Sequence, residues 1–177
     1  MSLEKLAGLI HERNIISGEI ATIIGRPALN RHVGEYVASK IFDIELESSA
    51  TAKGIDGRFT GGTLKGRTVN VKLYGKKENI LDISMMNLAD YYLVLTGPDG
   101  AVESSKGKTR PLVISQVFLF NMWRLIPELK ERGVKIGIAT SVRKQSWESA
   151  MIYPVQRNSD LVLHQKQIKQ LSMFYTS

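Results

Sequence analysis

The chain has 177 residues, a length that suits one domain better than two. Hydrophobic residues make up 43% and charged residues 23%, an ordinary globular balance that excludes disorder as the dominant state. With no cysteine and only His11, His32 and His164 as scattered histidines, disulfides, thiolate zinc sites, cysteine nucleophiles and a histidine-rich metal site drop out together. Lys and Arg number 24 against 17 Asp and Glu, giving a net charge of +7 and a pI near 9.6, which favours a polyanionic partner. The sequence contains no apolar run of about 18 residues, so no membrane span is expected. Met1-Ser2-Leu3-Glu4-Lys5 lacks the charged-then-apolar layout of a signal peptide, so a cytoplasmic location is expected.

Along the chain, Leu3, Leu6, Ala7, Leu9 and Ile10 recur at helical spacing behind Ser2, a good N-cap. A short second helix is predicted over residues 18–24, ended by Gly25, and Pro27 suits the first turn of a third. Its core stripe would be Leu29, Val33, Tyr36, Val37 and Ile41. After Phe42 the period changes to two: Asp43-Ile44-Glu45-Leu46-Glu47 alternates as a half-buried strand, and a second strand lies around residues 54–59. Thr60 to Gly66 reads as a glycine-rich hairpin loop, and Arg67 to Tyr74 as a third strand with Val69, Val71 and Leu73 on one face. A short helix over 84–90 and a buried strand over 91–96 follow, then a polar loop over 98–110. Further strands are predicted over 112–118 and 134–139, with a helix between Asn121 and Arg132 stopped by Gly133. Helices near Trp147 and over 165–174 close the chain. The order of elements predicts an α/β domain spanning 1–177, with a mixed sheet flanked by helices and residues 1–26 packed on it as a helical extension.

The chemistry concentrates between Glu35 and Lys72. Asn70 and Lys72 are two apart, so they share the strand face opposite Val69 and Val71. A hairpin symmetric about Thr63 pairs Asp56 with Asn70 and aims both side chains the same way, whereas a slip of one residue would reverse this. A carboxylate, an amide oxygen and an ammonium would then converge.

Gly34-Glu35 on a helix, Gly54-Ile55-Asp56-Gly57 on one strand and Asn70-Val71-Lys72 on the next resemble the PD-(D/E)xK nuclease superfamily, of restriction-endonuclease-like fold, and in particular a small uncharacterised bacterial group of that kind. The resemblance covers residues 28–96. It implies Asp56 as a metal ligand, Lys72 as the lysine beside the attacked phosphate, and Glu35 as the helical acidic residue. Two departures stand out: Ile55 replaces the motif proline, and Asn70 occupies the place of an aspartate or glutamate. Mg²⁺ prefers carboxylate oxygens, so the amide weakens the site unless Glu35 restores the charge. The implied activity is Mg²⁺- or Mn²⁺-dependent hydrolysis of DNA phosphodiester bonds, with Asp56, Asn70 and Glu35 around the metal and Lys72 on the developing charge.

Lys53, Arg58, Lys65, Arg67, Lys76 and Lys77 surround this segment and are candidates to track phosphates; Lys106, Lys108 and Arg110 form a second basic group on the polar loop. Blander readings exist for each residue. Asp56-Gly57 suits a turn, Lys72 suits a solvated strand face, and Glu45, Glu47, Glu78 and Asp82 suit wet surfaces. Trp123 and Trp147 are expected in the core. No phosphate-loop motif is present, and the Ala21–Gly25 spacing of a helix-turn-helix lacks a recognition helix after it. Two other functions remain open. One is a non-catalytic nucleic-acid-binding or complex-subunit module with a degraded metal site, favoured by Asn70. The other is an assembly role marked by a large exposed apolar patch. A homodimer is compatible with cutting of both strands.

Overall fold

The computed structural model describes residues 2–48, 54–99 and 112–175. Five helices are arranged around a mixed six-stranded sheet. The helices are α1 (Leu3–Ile24), α2 (Asn30–Ile41), α3 (Met122–Glu131), α4 (Lys144–Ala150) and α5 (Gln165–Ser172). The sheet contains β1 (Ile44–Leu46), β2 (Gly57–Phe59), β3 (Thr68–Tyr74), β5 (Tyr91–Thr96), β6 (Gln116–Asn121) and β8 (Met151–Tyr153), in the spatial order β1-β2-β3-β5-β6-β8. Among the described strand pairings of this sheet, β3–β5 alone is parallel. A separate two-stranded ribbon joins β4 (Ile80–Leu81) to β7 (Thr140–Ser141).

The strands alternate between two cores because successive side chains point to opposite faces. Val69 and Val71 of β3 and Leu93 and Leu95 of β5 pack under α2 and α5. Tyr92 and Val94 of β5, with Phe118 and Phe120 of β6, pack under α3, α4 and the β4–β7 ribbon. Trp147 of α4 meets Phe118 and Phe120 edge-on, with ring centroids 4.8 and 4.9 Å away. Helix α2 approaches β3 closely enough that a Cβ on Gly34 would lie 2.8 Å from Leu73 Cβ, so glycine is required at that contact. Buried Gln167 completes the capping box of α5 with His164 and donates through Nε2 to the Ile41 carbonyl at 2.8 Å, tying α5 to the end of α2.

Several elements depart from the periodicity reading. The two N-terminal segments are one 22-residue helix. Ser2 caps it by accepting from Lys5 N–H at 3.3 Å, and Gly25 ends it at φ 70°, as expected, but Gly18 interrupts nothing. One interior glycine costs only about 1 kcal/mol in a helix this long. The extension buries none of its residues, and 2–16 are exposed throughout. Helix α2 starts at Asn30, since Pro27 lends its carbonyl to Leu29 N–H and His32 Nδ1 in the preceding turn. No helix forms over 84–90 and no strand over 134–139. The short strands β4, β7 and β8 have too few residues to display a period. The segment expected as a strand from 112 begins its pairing only at Gln116. Among the described residues no helix is long and apolar enough to cross a membrane.

Candidate active site

The hairpin register is the one that a turn symmetric about Thr63 requires: Gly57 pairs with Val69 and Arg58 with Thr68. Strand β2 stops at Gly57, and Asp56 continues the ladder in another way. Its backbone N–H donates to the Val69 carbonyl at 2.9 Å, while its carboxylate Oδ2 accepts from Val71 N–H at 2.7 Å. The side chain therefore occupies the backbone donor that a longer β2 would have used, and holds the two strands together where they part.

Asn70 stands next to this split and is 5% exposed. Its Nδ2 donates to the Gly54 carbonyl at 3.1 Å. Gly54 can hold that carbonyl in place because it sits at φ 98°, where a Cβ would lie 2.6 Å from the Asn87 oxygen. A carbonyl accepts only, so the amide nitrogen must face Gly54 and Oδ1 must point away. There Oδ1 is buried with no hydrogen-bond partner among the described residues. A buried amide oxygen without a donor costs free energy and needs a reason, such as a cation that it ligates.

Lys72, on the same face, extends over the Tyr92 ring, its Nζ 5.8 Å from the centroid. Tyr92 is the parallel-strand neighbour of Asn70, and its hydroxyl accepts from Ser84 N–H at 3.1 Å. Glu35 arrives from α2, with its side chain 5% exposed. Arg26 Nη1 lies 2.6 Å from its Oε2 and Arg31 Nε 3.3 Å from its Oε1.

Asp56 and Glu35 are coupled electrostatically. Burial raises the Asp56 carboxyl above its ordinary value, opposed by the Val71 N–H and by the Lys72, Arg31 and Arg26 charges. Burial also raises Glu35, the neighbouring Asp56 carboxylate adds to the rise, and Arg31, Arg26 and His32 pull the other way. The two carboxylates thus repel one another, and even two guanidiniums on Glu35 do not offset burial and that repulsion.

Asp56 and the unpaired Asn70 amide oxygen are oxygen donors on neighbouring strands, of the kind that suits a hard divalent cation, while both carboxylate oxygens of Glu35 are engaged by Arg26 and Arg31. Among the described residues no three His, Cys, Asp or Glu side chains group so as to hold a metal ion.

The basic candidates do not lie together. Arg58 and Arg67 are exposed at the hairpin end of β3, within 3.7 Å of Glu47 and 3.8 Å of Asp90 respectively, and Lys65 is exposed on the connecting turn. Lys76 and Lys77 follow the other end of β3. Their side chains are 12% and 8% exposed, 2.7 Å from Glu78 and 3.3 Å from Asp99. Lys53, Lys106, Lys108 and Arg110 lie outside the described residues.

Of the acidic alternatives, Glu45 is exposed on β1, and Asp82 accepts from Ala139 N–H at 2.8 Å and braces the β4–β7 ribbon. Trp147 is core, but Trp123 is exposed, its indole N–H donating to Asp90 at 2.9 Å. Sequence reasoning passed over Arg26, Arg31 and Tyr92. The Arg31–Glu35 pair has the i,i+4 spacing of a helical ion pair, a signal present in the sequence. Arg26 reaches Glu35 only through the turn before α2, and Tyr92 meets Lys72 only through the parallel β3–β5 register.

A scan against protein-family models finds no match for this chain, and a search of the curated proteins finds none.

Proposed function

We propose that the protein is a divalent-cation-dependent nuclease of the restriction-endonuclease-like type, hydrolysing DNA phosphodiester bonds at the edge of β3. The observation that carries this reading is the unpaired, buried Asn70 Oδ1 on the strand beside Asp56, whose raised carboxyl senses the Lys72 charge. Asp56, Glu35 and Asn70 would hold Mg²⁺ or Mn²⁺. When bound, such an ion polarises the phosphate and lowers the pKa of a coordinated water. Asp56 is oriented for this by the Val71 N–H, which fixes Oδ2, so that Oδ1 would take the ion. Lys72 places its ammonium where charge builds on the attacked phosphate, steadied by the Tyr92 face. Arg58, Lys65 and Arg67 offer exposed cations for a flanking phosphate backbone.

One feature favours a second reading, a binding module that keeps the fold and has lost turnover. Asn70 supplies no negative charge, which lowers affinity for Mg²⁺. Cleavage of linear, supercoiled and single-stranded DNA, assayed with Mg²⁺ and with Mn²⁺, separates the two. For a nuclease, Lys72→Ala lowers the rate by about 100-fold or more while Mn²⁺ still raises the melting temperature of the variant. Undiminished cleavage by purified Lys72→Ala protein rejects the role given to Lys72. DNA binding without cleavage by the wild type selects the binding module.

A further inference from the structure

We infer that α1 is an association helix that pairs antiparallel with α1 of a second copy of this chain. The inference is independent of the nuclease reading. Helix α1 has 22 residues and buries none of them. Yet Leu6, Leu9, Ile16, Ile20 and Ile23 follow one another at the alternating three- and four-residue spacing of a coiled-coil seam, with Arg13 filling the remaining place. Leu3, Ile10 and Ile24 widen the stripe on one side. Leu3 is 83% exposed and Ile23 68%. A helix gains most of its stability from packing an apolar face, and this face is exposed from Leu3 to Ile16 and only half-buried at Ile20 and Ile24.

The charges say what covers it. Helix α1 carries three glutamates (Glu4, Glu12, Glu19) against Lys5 and Arg13, a net charge of −1, so the remainder of a +7 chain carries +8. A surface for nucleic acid or anionic lipid would carry an excess of Lys and Arg, which α1 lacks. A second copy complements it. Antiparallel pairing keeps the two strongly basic bodies at opposite ends and brings the acidic helix of each chain toward the basic body of the other. Parallel pairing would set those bodies side by side and stack Arg13 on its own copy.

In the antiparallel register Leu6 faces the partner's Ile23, Leu9 the partner's Ile20, and Arg13 the partner's Ile16. The partner's Leu3 then arrives beyond the end of α1. An apolar pocket of about 310 Å³ opens there, lined by Ile20, Ile24, Tyr36, Leu112 and Phe174 among others. Covering half of a helix about 33 Å long and about 11 Å across removes on the order of 600 Å² per chain. That reaches the lower edge of the roughly 600–1,000 Å² per partner found in stable interfaces, before any contribution from the pocket.

Sedimentation equilibrium of the full chain tests this: the expected mass is twice the 19.8 kDa of one chain. Leu9→Glu combined with Ile16→Glu is expected to give a monomer with an unchanged near-ultraviolet spectrum, because both residues are exposed. Ile15→Glu, off the stripe, is expected to remain a dimer. Because the chain has no cysteine, Leu9→Cys mixed with Ile20→Cys should cross-link under mild oxidation, whereas Leu9→Cys alone should not. A wild-type monomer at high micromolar concentration overturns the proposal. So does a dimer that survives the double glutamate change, dissociation by Ile15→Glu, or efficient self-cross-linking of Leu9→Cys.

Discussion

Asp56→Asn separates the two tasks assigned to this side chain. The carboxylate accepts the Val71 N–H at 2.7 Å, and an asparagine oxygen of the same shape accepts it equally. The substitution removes the negative charge, which the cation-free protein bears at a cost because burial raises the Asp56 carboxyl. In EDTA at neutral pH, Asp56→Asn should therefore melt at or above the wild-type temperature. Asp56→Ala leaves the Val71 N–H without its acceptor, costing about 1–3 kcal/mol. For a chain of this length each kcal/mol corresponds to about 2–4 °C in Tm. A divalent cation at 100 times its Kd adds about 2.7 kcal/mol to a protein that binds it only when folded, or about 5–11 °C on that scale. Differential scanning calorimetry in EDTA and in Mn²⁺ measures all of these quantities. The wild type should gain the Mn²⁺ increment, and Asp56→Asn should lose most of it. The reasoning is refuted if Asp56→Asn melts well below the wild type in EDTA, or gains as much as the wild type from Mn²⁺.

Other outcomes follow from the same geometry. Asn70→Asp adds a carboxylate where Oδ1 lacks a partner, and titration calorimetry should show cation affinity rising about tenfold, or about 1.4 kcal/mol; unchanged affinity would mean that this oxygen faces no cation. The same variant without cation should lose about 1–3 kcal/mol, because the Gly54 carbonyl then faces a carboxylate instead of an N–H. Asp56 and Glu35 are both raised in the folded state, so their contribution to cation-free stability is complete below their unfolded values and declines as pH rises through the folded ones. The Tm of Asp56→Asn minus that of the wild type should therefore grow from pH 4 toward pH 7 in EDTA; a flat difference would contradict the raised Asp56. Gly34→Ala forces a Cβ to within 2.8 Å of Leu73 Cβ and should cost about 1–3 kcal/mol by urea denaturation. Unaltered stability would contradict the close α2–β3 approach.

Elements with a long or clean period were legible in the sequence. Strand β5 matches its predicted bounds because six consecutive residues are buried on both faces, leaving a continuous apolar run. The β2–β3 register was legible because a short loop centred on Thr63 fixes strand pairing locally. Continued by one residue, that register sets Asp56 opposite Asn70. The same local logic divided α1 at Gly18, since a glycine reads as a stop whenever its cost is weighed without the cooperativity of the whole helix. Asn70 could be named from the sequence, but its state could not. The unpartnered Oδ1 depends on the Gly54 carbonyl taking the amide nitrogen, which depends in turn on backbone packed against residues 86 and 87.

Composition, caps, alternation and one hairpin register belong to the chain itself, because each arises from residues within a few positions of one another. The electrostatic coupling of Glu35 and Asp56, the two arginines on Glu35 and the Tyr92 ring under Lys72 belong to the tertiary structure alone. They join α2, β3 and β5 across tens of residues, through packing and a parallel crossover that leave no periodic trace in the sequence.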